Sequence, residues 1–376
     1  MSKTLIIEQN QRLAKIFIVK KYGYLCVPLL ALVPLLTMWL MHSTDYPNLS
    51  SYFPLFFVFV IVPILDLQFG QDTYNPDELR DVPNIEKEYY YRILTWLSFP
   101  FYASLLVLAL YTFTKVNLNF FGQLGWLLSM GVFASVFTIN VAHELMHKTN
   151  KIEPFFSGLL LSLVCFATFK VEHIRGHHVH VSTPNDHSSA RLHQSLYSFL
   201  AQALKHNTLA GFTLEKKWLN KKGRSAWHWQ NELIWWSLLS IFWIVCTGIF
   251  FGTMGVLFFL GQSLCAIIFL EIINYVEHYG LERKLLKNGK YEPVSHRHSW
   301  NSSFLFTNLL LFQLQRHSDH HAYPKRRYQV LRHFDDSPQL PFGYATMILI
   351  ALIPPLWKRI MDPLATSYVR STKKCI

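Results

Sequence analysis

The sequence predicts an all-α integral membrane protein: six transmembrane helices carrying a histidine-rich cap on their cytoplasmic side. Three observations predict it. Only 15% of the 376 residues are charged and 51% are hydrophobic, whereas soluble domains average roughly 25% charged residues. Several windows run for roughly 16 residues or more with almost no charge, long enough to approach or span a bilayer. Lys and Arg are confined almost wholly to alternate connections between those windows, as the positive-inside rule requires.

The elements follow in order. A basic arm with Lys3, Arg12, Lys15, Lys20 and Lys21 precedes the first apolar run, and no small-residue cleavage pattern follows it, so it reads as a cytoplasmic arm rather than a signal peptide. Spans are expected at 24–41, 52–67, 93–114, 123–146, 232–250 and 254–278. The connections 42–51, 115–122 and 251–253 contain a single basic residue, Lys115, out of 35 Lys and Arg. These face outward, and both termini are then cytoplasmic. A further apolar run, 154–169, is short, and a crossing there would place Lys170, Arg175, Lys216, Lys217 and other basic residues outside. It is read as a helix buried at the cytoplasmic face or re-entrant. The same logic keeps 304–314 and 341–357 inside, the latter with room for a shallow hairpin at Pro354-Pro355. Segments 147–231 and 279–376 make a helical cap, and residues 1–376 read as one membrane-embedded domain. The net charge of +12 is positive-inside bias for the most part, and no nucleic-acid partner is expected. The five cysteines stand far apart without a CxxC pair, which points to neither a thiolate metal site nor a disulfide framework; Cys375 comes one residue too late for prenylation.

Of eighteen histidines only His42 falls in an outward connection. Nine gather in four groups at the cytoplasmic ends of apolar runs: His143 and His147 in HELMH; His173, His177 and His178 in EHIRGHH; His278 in NYVEHYG; His317, His320 and His321 in LQRHSDHHA. Residues four apart share a helix face, so His143/His147 and His173/His177 can each grip one metal ion, and HSDHH has offsets of three and four on one face. Adjacent histidines, His177-His178 and His320-His321, point about 100° apart and can serve different ions, which suggests two metals. Imidazole suits Zn, Cu, Fe and Ni alike. A single HxxxH is usually an ordinary surface or core pair, and HELMH alone matches the zinc-protease HExxH with Glu144 as base. Four such groups on one side of a membrane are a different matter, because buried unpaired polar groups are costly. Carboxylates should offset the metal charge and accept the free ring N–H groups; Glu144, Glu172, Glu277 and Asp319 adjoin the clusters. His180, His187, His193, His206, His228 and His333 read as surface or supporting residues, and His296 and His298 as either.

HELMHK, EHIRGHH, NYVEHYGL and LQRHSDHHA together resemble the membrane-bound alkane 1-monooxygenases, within the histidine-box diiron proteins that include fatty acid desaturases and xylene monooxygenases. FGQDTYNP (69–76), HSWNSSFLFTN (298–308) and RRYQVLRHFDDSPQLP (326–341) resemble the alkane group in particular. The resemblance implies six transmembrane helices around a hydrophobic cavity and two irons held by the nine histidines. It also implies a bacterial inner-membrane location, and conversion of n-alkane and O2 to primary alcohol and water. Electrons are then expected from a separate rubredoxin, reduced by an NADH-dependent reductase, since no rubredoxin-like CxxC pairs are present here. Side-chain bulk on the second span limits alkane length in this family, which makes Val58 and Val62 channel candidates and a range beyond about twelve carbons the expectation, roughly half of the hydrocarbon core in length. Lys325, Arg326 and Arg327 are the expected docking patch for an acidic donor. A desaturase, a xylene-type monooxygenase, an HExxH zinc protease using two of the nine histidines, and a transporter are the competing readings.

Overall fold

The computed structural model describes residues 16–374, and these are helical apart from loops and three isolated bridges. Lys3, Arg12 and Lys15 of the basic arm, and Cys375, lie outside the described residues. Helices α1 (Cys26–Ser43), α2 (Pro47–Phe69), α3 (Tyr89–Lys115) and α4 (Phe120–Met146) are long and apolar enough to cross a membrane. They cover the first four expected spans. Only 17% of the apolar window of α2 is buried within the protein. Side chains such as Trp39, Ile64 and Val107 point outward from these helices. Apolar surface on that scale requires lipid rather than water around it.

Contact between the spans rests on small residues and on hydrogen bonds made inside the bundle, as is usual where lipid removes the hydrophobic drive. A side chain on Gly131 of α4 would sit 2.3 Å from Cys265 Cβ. Trp126 donates to the Ala109 carbonyl at 3.1 Å, and Tyr102 to Gln262 Oε1 at 2.9 Å. Asp66, buried near the end of α2, accepts from Thr307 N and Oγ1 at 2.9 and 2.5 Å.

The last two expected spans form one helical segment, α8 (Glu232–His278, 47 residues). Straight, it would reach about 70 Å, more than twice a hydrocarbon core. It bends at Gly252, whose φ of 66° and ψ of −167° leave the helical region. A Cβ on Gly248 would touch Val256 at 3.4 Å, although eight residues of straight helix rise about 12 Å. The two arms therefore fold back on each other, and 251–253 shrinks to a bend. Because an L-residue is strained there, Gly252→Val is expected to destabilise the hairpin by about 1–3 kcal/mol, read as a lower melting temperature in detergent; an unchanged melting temperature would count against it.

The ambiguous runs do not make straight crossings. α5 (Ile152–Ser162) has 11 residues and packs against the first arm of α8, where Ser240 Oγ and Trp243 Nε1 reach the Ser162 carbonyl and hydroxyl at 3.1 and 3.0 Å. α6 (Ala167–Glu172) leads through a wide π turn (His173–His177) into a short turn, His178–His180. α7 (Leu196–Asn220) is amphipathic and lies against α6 and α8, with Gly211 meeting Thr168 and Asn207 bonding Glu271. α9 (Leu305–Leu310) and α10 (His317–Ala322) are short. α11 (Tyr344–Ala351) and α12 (Pro354–Lys374) meet at a bend of 119°, the broken geometry allowed for at Pro354-Pro355.

Candidate metal centre

Four elements converge at one end of the bundle: the last turn of α4, the π turn after α6, the last turn of α8, and α10. They bring the nine histidines into two groups: His143, His147, His173, His178 and His320 in one; His177, His278, His317 and His321 in the other. Within each group one nitrogen from every ring lies within 4.8 Å of the rest.

The adjacent pairs divide between the groups, as their angular separation suggests. The pairing of His173 with His177 does not occur, and this corrects the expectation from i,i+4 spacing. Residues 173–177 wind as a π turn, whose wider ladder runs i to i+5. His173 therefore shares a face with His178, their Nε2 atoms 2.9 Å apart, and His177 faces His321 at 3.2 Å. In α10 the offset of four is kept, with His317 and His321 at 2.8 Å, but the offset of three is not, and His320 joins the other group. A Cβ on Gly176 of EHIRGHH would lie 2.8 Å from Glu172 Oε1, so a larger residue there would have to displace that carboxylate.

The nitrogens fit metal ions. Two nitrogens bound at right angles at about 2.1 Å stand about 3 Å apart, and the Nε2 contacts His178–His173, His177–His321, His278–His317 and His317–His321 span 2.8–3.2 Å. Nε2 of His143, His147 and His320 is buried without a protein partner. Burial, then mutual repulsion, holds His147, His173, His178, His317, His320 and His321 well below the ordinary imidazole value, which favours the neutral ring that a metal ion requires. His177 differs. Burial lowers it, but Asp186 at Nδ1, 2.9 Å away, together with Glu172 and Glu277, outweighs burial and raises it.

Asp186 is the ring partner that spacing did not reveal. It lies in a loop nine residues after His177 and is fixed by the Ser188 amide at 3.1 Å and Ser189 Oγ at 2.5 Å. The four carboxylates named from sequence take different places. Glu144 pairs with Lys148 at 2.7 Å and accepts from the Tyr328 amide. Asp319 pairs with Arg332 at 2.7 Å. Both neutralise cations, and no ring contact is seen for either among the described residues. Burial pushes the Glu172 carboxyl up to about 8, with His177 opposing. Glu277 reaches a ring, but at Nε2 of His317, 3.2 Å away, rather than at the free N–H side.

An apolar cavity adjoins the rings. Val58, Val62, Phe269, Leu310 and Ile348 line it together with His143, His173 and His317. Both valines named from sequence thus stand in its wall, Val58 on the wide turn Phe57–Ile61 of α2. The remaining histidines lie outside the two groups: His187 stacks on His206 at 3.9 Å, and His193, His296, His298 and His333 pair with Asp362, Asp336, Glu292 and Asp335.

The docking patch needs correction. Arg326 binds Glu78 at 2.5 Å, and Arg327 binds the buried Glu153 at 2.8 Å. These two charges are consumed in holding the cap, and of the three only Lys325 is exposed. Asp72 of FGQDTYNP, also unflagged, joins Lys20 at 2.6 Å and the buried Arg316 at 3.0 Å; burial would raise its carboxyl, but these cations hold it below the usual range.

The family model described as fatty acid desaturase matches residues 118–351. Alkane 1-monooxygenase 2 of Pseudomonas aeruginosa is 52% identical over 350 residues, 93% of each chain. Alkane 1-monooxygenase 1 of the same organism is 51% identical over 93% of this chain and 92% of its own. Alkane 1-monooxygenase 2 of Alcanivorax borkumensis is 49% identical with the same coverage. With histidine groups and cavity as described and likeness over nearly its whole length, the chain belongs to the alkane 1-monooxygenases, oxidoreductases within the wider fatty acid desaturase family.

Proposed function

We propose that this protein converts n-alkanes and O2 to primary alcohols at two irons held by the nine histidines, with electrons from a separate rubredoxin and its NADH-dependent reductase. One observation carries the reading: both histidine groups lie beside an apolar cavity whose wall includes three of their rings. Bound iron would supply the redox chemistry that an unactivated C–H bond demands, which side-chain acids and bases cannot. The protein's part is delivery and exclusion. Val58, Val62 and their neighbours take the chain out of lipid and present one methyl end to the rings, while the closed packing of α4, α8 and α10 keeps bulk water away. Asp186 orients His177 by accepting its Nδ1–H.

The zinc-protease reading needs Glu144 free to activate water, but Lys148 and the Tyr328 amide engage it, and His143 and His147 sit with three further rings. On this reading the chain is one domain in a bacterial inner membrane with both termini cytoplasmic, so that the histidine end meets a soluble donor. Purified protein supplied with rubredoxin, its reductase, NADH and a series of n-alkanes tests the whole reading: primary alcohols support it, and unsaturated products or none reject it. Asp186→Asn is expected to lower metal affinity by about 10- to 100-fold, measured by competition with a chelator; unaltered retention would remove Asp186 from the site.

A further inference from the structure

The two histidine groups are unequal, five rings against four. Beside the smaller one stands Glu277, the residue before His278, 2% exposed. Its placement is unlike that of Asp186. A carboxylate that orients a metal-bound ring contacts the nitrogen turned away from the ion, as Asp186 does at Nδ1 of His177. Glu277 Oε2 lies 3.2 Å from His317 Nε2, the same atom that faces His278 Nε2 at 3.1 Å and His321 Nε2 at 2.8 Å. Nδ1 of His317, where an orienting carboxylate belongs, is buried and unpartnered. The oxygen thus keeps a fellow ligand's spacing to His317 Nε2, the ring nitrogen of the group that it approaches.

Two more observations agree. The other oxygen, Oε1, accepts from Tyr344 OH at 2.7 Å, which fixes the carboxylate's direction, and both residues line the apolar cavity. Among the described residues no Lys or Arg forms an ion pair with Glu277, only the His317 ring does, and a buried carboxylate is favoured by a full positive charge beside it. A divalent ion provides that charge, and mixed imidazole–carboxylate donor sets suit non-haem iron.

We propose that Glu277 is a metal donor to the group of His177, His278, His317 and His321, entering from the cavity side, and that Tyr344 is its positioning residue. This rests on the two-iron reading above. It makes the donor counts of the two sites equal while leaving their charges different, so the two irons are chemically distinct.

The test is iron content and Mössbauer spectroscopy on the full-length protein reconstituted with ferrous iron in detergent. The parent should hold two irons with two resolvable environments. Glu277→Ala should weaken the retention of one iron by about 100-fold or more, at or beyond the loss seen for outer partners. Glu277→Gln, which keeps the volume and the Tyr344 hydrogen bond, should shift one environment and leave the other unchanged; it decides the matter if the alanine variant does not fold. Tyr344→Phe should keep both irons and shift the same signal by less. Two retained irons with both signals unaltered in the Gln variant would overturn the proposal. A parent that binds one iron, or zinc, would instead overturn the two-iron reading on which it stands.

Discussion

His278→Ala is expected to abolish alkane hydroxylation and to leave the protein short of iron, whereas His206→Ala keeps most of both. His278 is completely buried and is the single histidine that α8 contributes to either group. Its Nε2 faces His317 Nε2 at 3.1 Å, and its Nδ1 is approached by Ser299 Oγ at 3.4 Å. Truncation removes a donor from the smaller group and leaves three rings where four converge. Loss of an outer partner alone typically costs about 10- to 100-fold in metal affinity or activity, so loss of a ligand should exceed about 100-fold. His206 stacks on His187 outside both groups and is the matched control for removing an imidazole. Product chromatography with metal analysis of the same preparations gives the answer. Near-normal turnover with a full iron complement in His278→Ala would show that the ligand assignment is wrong.

Val58→Trp should shorten the accepted alkanes while sparing octane. Val58 stands in the cavity wall on the wide turn of α2, with Val62 and Phe269 also in that wall. An indole placed there fills the space that a long chain must occupy beyond the rings. The methyl end would still reach His143 and His317, so short substrates lose little. For hexadecane the chain must clash or withdraw, and discrimination of roughly tenfold or more is expected, as a few methylenes decide fit in an apolar pocket. Equal hexadecane turnover in variant and parent would mean that the alkane does not run past Val58.

Much of this molecule was legible locally. Span positions depend on runs of apolar residues, a property of the chain read in order. The four histidine boxes are legible for the same reason, since each sits within a few residues at the end of one helix. The resemblance carried by those boxes also led to Val58 and Val62, which stand in the wall of the cavity beside the rings.

What the sequence determined by itself, then, is the set of helices and the identity of the clustered rings. Which ring joins which group was decided only in three dimensions. A regular helix repeats every 3.6 residues, but residues 173–177 form a π turn that pairs His173 with His178 and sends His177 across to His321. The carboxylates show the same limit. Adjacency drew attention to Glu144 and Asp319, yet Lys148 and Arg332 hold them. Asp186 reaches His177 from a loop whose path depends on Ser188 and Ser189. Arg326 and Arg327 looked free in the sequence because their partners, Glu78 and Glu153, are far away along the chain. Hydrogen bonds and ion pairs between distant segments form only once the helices have packed, so only the packed structure could decide which charges are consumed inside and which oxygen faces the clustered rings.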